Sequence, residues 1–158
     1  MLKKMENLTS SQKSIWSVEQ YFKGSSINNI CGTAVFKEEI DLKKLEEAIE
    51  IVCSKHDIFK IRFKIKDGEI MQMVSDSNEC NIEIIDVKDV DELKKKKEEL
   101  TQKPFKIEEN LLFKFYIFKF PNGKGAFMPS MHHLISDAWT IALIYNEIIE
   151  TYSILKQN

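Results

Sequence analysis

The chain has 158 residues, 43% of them hydrophobic, with 23 basic residues against 25 acidic ones and a formal charge of −2. This is enough apolar material for one globular domain with a sizeable core. It is cramped for two, and too balanced in charge for a nucleic-acid or membrane-surface protein.

The opening Met1-Leu2-Lys3-Lys4 is basic but runs into polar Glu6, Asn7 and Thr9, so neither an export signal nor a membrane span is indicated. Cys31, Cys53 and Cys80 are odd in number and form no CxxC pair, which fits reduced thiols in the cytoplasm better than a disulfide framework. Thr9-Ser-Ser-Gln12 has the form of a capping box and starts a first helix, in which Ile15, Val18, Tyr21 and Phe22 recur at helical spacing. Lys23-Gly24-Ser25-Ser26 ends it, and the β-formers from Ile27 to Phe36 predict a strand. Asp41 caps a second helix in which Leu42, Leu45, Ala48, Ile49 and Val52 form one stripe, and the pattern ends near His56.

From Ile61 the period changes to two. Ile61, Phe63 and Ile65 face one way and Arg62, Lys64 and Lys66 the other, and Asp67-Gly68 turns the chain into a hairpin that runs to about Val74. In that register Lys66 opposes Glu69 and Ile65 opposes Ile70. A strand over 82–87 precedes a charged helix over 90–102, whose apolar contacts are Val90, Leu93 and Leu100 and whose run Lys94–Lys97 is a solvated face. After Pro104, the segment 111–120 is apolar on both faces, as a central strand should be. Pro121-Asn122-Gly123 turns it into a second strand approaching His132. Ser136 is placed to cap a last helix with Ile141, Ile144, Tyr145, Ile148, Tyr152 and Leu155 inside. The order α-β-α-β-β-β-α-β-β-α predicts an α/β (α+β) sandwich with helices packed on a mixed, largely antiparallel sheet.

The residues with chemistry to offer are concentrated at the last strand-to-helix junction, His132-His133-Leu134-Ile135-Ser136-Asp137-Ala138-Trp139. Adjacent residues in extended backbone point in opposite directions, so the two imidazoles have different jobs. A zinc site needs three or four converging ligands, and no ligand spacing supplies them, so no metal is expected. One imidazole with a pKa near neutrality can take a proton from an attacking amine or hydroxyl. Asp137 is then a fixed anion at a helix start, able to pair with a cation from a neighbouring element. On residue types alone, HHxxxD is equally compatible with two satisfied polar residues at a strand end beside a helix-start acid.

Four segments in order resolve that balance. Leu8-Thr-Ser-Ser-Gln-Lys-Ser-Ile-Trp16 resembles the opening motif of nonribosomal peptide synthetase condensation domains, and Lys55-His-Asp-Ile-Phe-Lys-Ile-Arg-Phe63 resembles their second. Pro104-Phe105 followed by Leu111-Leu-Phe-Lys114 is similar to a further family segment, and Met131 to Thr140 resembles the HHxxxDG active-site motif.

The resemblance implies a chloramphenicol acetyltransferase-like fold, with residues 1–158 forming the N-terminal lobe of a two-lobed domain and the C-terminal lobe absent. It implies amide-bond formation between an acyl or peptidyl thioester and an acceptor amine, both held on the phosphopantetheine arms of carrier proteins, with no cofactor bound directly. It assigns His133 to catalysis, and His132 and Asp137 to architecture. The partner of Asp137 is Arg62 or Lys60, which share a strand face, with Arg62, the only arginine of the chain, slightly favoured. Ala138, standing where the family has glycine, and Trp139 are substrate-channel candidates, with Trp139 and Trp16 expected to pack beside the site. A trimeric single-lobe acyltransferase using coenzyme A, completed by self-association, and an inactive lobe that docks carriers are the competing expectations.

Overall fold

The computed structural model describes residues 4–157; the basic start Met1-Leu2-Lys3 lies outside them. In chain order the elements are β1 (Glu6–Asn7), α1 (Ser10–Tyr21), β2 (Asn29–Cys31), β3 (Ala34–Val35), α2 (Leu42–Lys55), a 3-10 turn (Asp57–Lys60), β4 (Ile61–Lys66), β5 (Glu69–Val74), β6 (Ile82–Asp86), α3 (Val90–Thr101), β7 (Phe113–Lys119), β8 (Gly125–His132) and α4 (Ala138–Gln157). The expected order is present, with β1 added and the strand over 27–36 divided in two around Gly32 and Thr33.

The main sheet runs β2-β8-β7-β6, with β3 also paired to β8. Only β6 and β7 are parallel; the other pairs are antiparallel. Both faces of β7 and β8 are covered, which is why their sequences are apolar throughout. Phe113, Phe115, Ile117, Phe127 and Met131 belong to the core that contains the buried faces of α2 and α4. Tyr116, Phe118, Ala126 and Met128 pack with Val87 and with Leu93 and Leu100 of α3 on the other face. The result is a three-layer sandwich whose middle layer ends at the two histidines. Gly125, at the start of β8, has no room for a side chain: a Cβ there would collide with the carbonyl of Phe118 and with Cδ1 of Ile40.

The hairpin forms in the expected register, Lys66 opposite Glu69 and Ile65 opposite Ile70. Asp67 and Gly68 both have positive φ, as the two-residue turn requires. It joins β1 in a separate three-stranded sheet rather than the main one. Its faces are not those of simple alternation: Arg62 and Phe63 are both buried, while Ile65 is exposed.

The largest departure concerns α1. Its capping box forms as read, with Thr9 Oγ1 accepting from Gln12 N–H and Gln12 Oε1 accepting from Thr9 N–H. The apolar residues expected to face inward do not: Val18, Tyr21 and Phe22 are exposed, and the one fully buried residue of the helix is Glu19. Ile15 and Trp16 are half-buried against the core. Gln12, Trp16 and Glu19, one helical turn apart in succession, thus share the inward side with Ile15, and half of that side is polar.

Candidate functional site

The site grows from the C-terminal end of β8. His132 still pairs with Asn29 of β2, and His133 N–H donates to the carbonyl of Asn28, so the sheet edge holds the backbone of both histidines. The chain then bends: Ile135 N–H and Ser136 Oγ both donate to the carbonyl of His132, which turns the strand toward α4. Ser136 is therefore committed to the bend and does not cap the helix. Asp137 does so instead, its Oδ1 accepting from Thr140 N–H and Thr140 Oγ1, each at 2.7 Å. These hydrogen bonds, first the backbone and then the side-chain one, hold the Asp137 carboxyl below the usual carboxylate range.

The two imidazoles have opposite environments. His132 is 2% exposed. Its Nδ1 accepts from Leu134 N–H at 3.1 Å, so the ring proton sits on Nε2, which faces Glu19 Oε2 at 3.3 Å. A protonated ring would set two donors against each other at Nδ1. Burial in addition pushes the His132 pKa down, against the opposing hydrogen bond and charge of Glu19, and the ring is neutral. The ring of Phe105 meets it edge-on at 6.2 Å between centroids.

His133 is half-buried, and its Nδ1 lies 3.0 Å from the carbonyl of Ser136. A carbonyl only accepts, so Nδ1 carries the proton and Nε2 of neutral His133 carries a lone pair. The bend thus fixes the tautomer of His133 with its own backbone and leaves Nε2 of the neutral ring able to accept a proton. The other imidazole is enclosed, with both ring nitrogens partnered inside the protein.

The basic residues expected near Asp137 are not bonded to it. Arg62 is buried, with Nη1 donating to the carbonyls of Phe59 and Ile61, and Nη2 3.5 Å from the carboxylate of Glu79. Burial lowers its pKa, partly offset by Glu79. Lys60 pairs with Asp57, three residues earlier. Asp137 is exposed and engaged by its own helix, so the slightly favoured Arg62–Asp137 pair does not form. The physical reason is local: the carbonyls of Phe59, in the 3-10 turn, and of Ile61, at the start of β4, take up the Arg62 guanidinium. That turn was not legible from the sequence.

Ala138 lines an apolar groove of about 370 Å³ together with Gly32, Pro129, Ile141 and Tyr145, and is exposed. Trp139 is 72% exposed and is not part of that lining, so the expectation that it packs beside the site is not met. His56, at the end of α2, bonds Glu147 of α4 at 2.6 Å. Burial raises the Glu147 carboxyl, but His56 and Lys55 outweigh it and hold the pKa below its ordinary value. Among the described residues, no group of three or more His, Cys, Asp or Glu is placed to hold a metal ion, and no helix is long and apolar enough to cross a membrane. Sequence reasoning missed Glu19 and Asn28. The only signal for Glu19 was its spacing from Gln12 and Trp16.

The family model described as "Condensation domain" matches residues 3–158. Tyrocidine synthase 3 of Brevibacillus parabrevis is 29% identical over 143 residues, covering 90% of this chain and 2% of that protein. Gramicidin S synthase 2 of Aneurinibacillus migulanus is 27% identical over 146 residues, covering 92% of this chain and 3% of that protein. Among solved structures, the starter condensation domain of rhizomide synthetase RzmA aligns with a TM-score of 0.85 at 20% identity, over 98% of this chain and 38% of that one. The first condensation domain of the calcium-dependent antibiotic synthetase, in complex with a substrate analogue, aligns with a TM-score of 0.84 at 16% identity, over 98% of this chain and 39% of that one. The chain therefore spans a small fraction of these synthetases and under two-fifths of the solved condensation-domain chains.

Proposed function

The chain belongs to the condensation-domain family of nonribosomal peptide synthetases, and from that premise we propose that it works as the histidine-bearing N-terminal lobe of a condensation domain, with His133 as its base. Its fold is the chloramphenicol acetyltransferase-like one of the condensation-domain structures that it matches. The observation that carries the reading is the tautomer of His133: the Ser136 carbonyl accepts a hydrogen bond from Nδ1–H, which leaves a lone pair on Nε2 at the end of a strand.

In the proposed reaction the acceptor amine attacks the carbonyl carbon of the donor thioester, and His133 Nε2 takes the proton that the nitrogen loses. The tetrahedral intermediate collapses by breaking the carbon–sulfur bond, and the departing thiolate of the phosphopantetheine arm takes that proton back. One amide bond forms, one thioester breaks, and no electron is transferred, so neither a metal nor a redox cofactor is called for. The partners of this reading are acyl or peptidyl carrier proteins, and its setting is the cytoplasm. A C-terminal lobe supplies the other wall of the site. His132 and Asp137 serve the architecture, the first as a buried anchor and the second as the cap of α4.

The test is acyl transfer from a loaded carrier to an amine-bearing carrier, with this lobe carried in a complete condensation domain. His133→Ala is expected to lower kcat by about 10²–10⁴-fold, the usual worth of a general base. Activity that survives the substitution removes His133 from its role. Transfer from coenzyme A thioesters without any carrier would favour an acyltransferase of the free-cofactor kind.

A further inference from the structure

Glu19 is a carboxylate buried in a helix that shows Val18 and Tyr21 to solvent, and the reaction proposed above makes no use of it. It is 6% exposed. Its Oε2 accepts from Asn28 Nδ2 at 2.8 Å and faces His132 Nε2 at 3.3 Å. Asn28 is itself buried, and its carbonyl accepts the N–H of His133 at 2.8 Å. One carboxylate oxygen therefore reaches both histidines, one through its ring and the other through the Asn28 backbone. About two helical turns earlier, Gln12 Nε2 donates to the carbonyl of Leu134, the residue that follows the pair. A buried carboxyl group costs folding free energy unless its hydrogen bonds are made, and here they are made to the segment that carries the base.

We propose that Glu19 is a positioning residue: by accepting from His132 Nε2 and Asn28 Nδ2 together, it sets where the backbone of His133 leaves β8, and so where His133 Nε2 is presented. The effect on turnover rests on the reading of His133 as the base; the effect on the histidine segment does not. Because the role is one of accepting two hydrogen bonds, a neutral acceptor of the same shape should serve. Glutamine offers one, since its Oε1 can take both donors. Leucine fills similar space and offers none, leaving the His132 Nε2 proton and the Asn28 amide without their acceptor.

Two measurements decide it. In the isotopically labelled chain, nitrogen–proton spectra at neutral pH follow the His132 Nε2 proton and the exchange of the His133 amide. Glu19→Leu is expected to expose both to rapid exchange, and Glu19→Gln to keep both slow. In the complete condensation domain, Glu19→Leu is expected to lower kcat by about 10²-fold with KM little changed, as a displaced reacting group would, and Glu19→Gln to recover most of the rate. A leucine variant with parental exchange and parental kcat overturns the proposal. So does a glutamine variant as impaired as the leucine one, because charge rather than hydrogen-bond geometry would then be the property that matters. Should Glu19→Leu fail to fold, Asn28→Ala takes its place, since it removes the amide link and leaves the Glu19–His132 contact. Faster exchange of the His133 amide with a fall in kcat supports the proposal, and no change in either overturns it. His133→Ala in the same assay separates the two readings. If that substitution costs nothing, the assignment of the base fails, while the exchange measurements still decide what Glu19 does.

Discussion

Helices α1 and α2 are nearly equal in length, 12 and 14 residues, and both begin with a side-chain cap, yet they bury opposite kinds of surface. Helix α2 buries Leu45, Ala48, Ile49, Val52 and Cys53, an apolar stripe at helical spacing that packs with α4 and the main sheet. Helix α1 fully buries only Glu19, and with Gln12 it bonds the strand end where the two histidines sit. The difference separates two ways in which a helix can belong to a fold. One supplies hydrophobic free energy and is indifferent to which polar groups lie nearby. The other adds little burial and spends its inward face on directed hydrogen bonds, which specify position more than they stabilise.

The comparison is broken most easily at its apolar end. Ile49 is wholly buried, so Ile49→Ala removes three carbons from a close-packed core and leaves a cavity; a loss of about 2–5 kcal/mol is expected in chemical denaturation. A loss below about 1 kcal/mol would mean that α2 is not the scaffold its stripe suggests.

The same contrast explains what the sequence could reveal. The stripe of α2, the Asp67-Gly68 hairpin and its register were legible because their signals are local: a period of 3.6, a period of two, and a turn that needs two positive φ angles. The HHxxxD segment was legible for the same reason, being continuous in the chain. The orientation of α1 was not, because Val18, Tyr21 and Phe22 have the right spacing for a buried face, and the competing face is held by partners far away in sequence. Glu19 meets His132 across 113 residues, and Gln12 meets Leu134 across 122. Nothing local shows that a glutamate in an amphipathic helix is awaited by a histidine a hundred residues on. Arg62 failed in the same way: its ion-pair partner, Glu79, comes from a loop with no pattern. By contrast, Asp137 as the cap of α4 was within reach, since Thr140 stands three residues later with the spacing that a capped helix uses.

The polar end of the comparison has a pH signature of intermediate size. Burial depresses the His132 pKa in the folded chain, so between that value and the unfolded one, near 6.5, only the unfolded chain binds the proton. The contribution of neutral His132 is therefore fully present above about pH 6.5 and is lost as the pH falls through the folded pKa. The slope for one such proton is at most about 1.4 kcal/mol per pH unit. Denaturation midpoints between about pH 7 and pH 5.5 should fall in the parent and fall less in His132→Asn, whose side chain does not titrate. Equal slopes would mean that the folded imidazole takes up the proton as readily as the unfolded one, contrary to its paired Nδ1 and its burial.

The smallest effect belongs to the outer face of α1. Tyr21 is 84% exposed and ends the helix beside Phe22, with which it makes an edge-on contact at 4.8 Å between ring centroids. By spacing alone it belongs to a buried stripe, and burying a large aromatic ring would make its truncation cost about 3–5 kcal/mol. In the fold it faces water, and serine differs little from tyrosine in helix propensity, so Tyr21→Ser should change folding free energy by no more than about 0.5 kcal/mol. Chemical denaturation of the two chains side by side distinguishes these values easily. A loss of several kcal/mol would place Tyr21 in a core, rotate α1 so that Glu19 and Gln12 left the histidine segment, and remove the distinction between the two helices. A negligible loss leaves the side of α1 that carries Gln12, Ile15, Trp16 and Glu19 as the one that faces the protein, with its position set by that side and its hydrogen bonds to the strand end rather than by Val18, Tyr21 and Phe22.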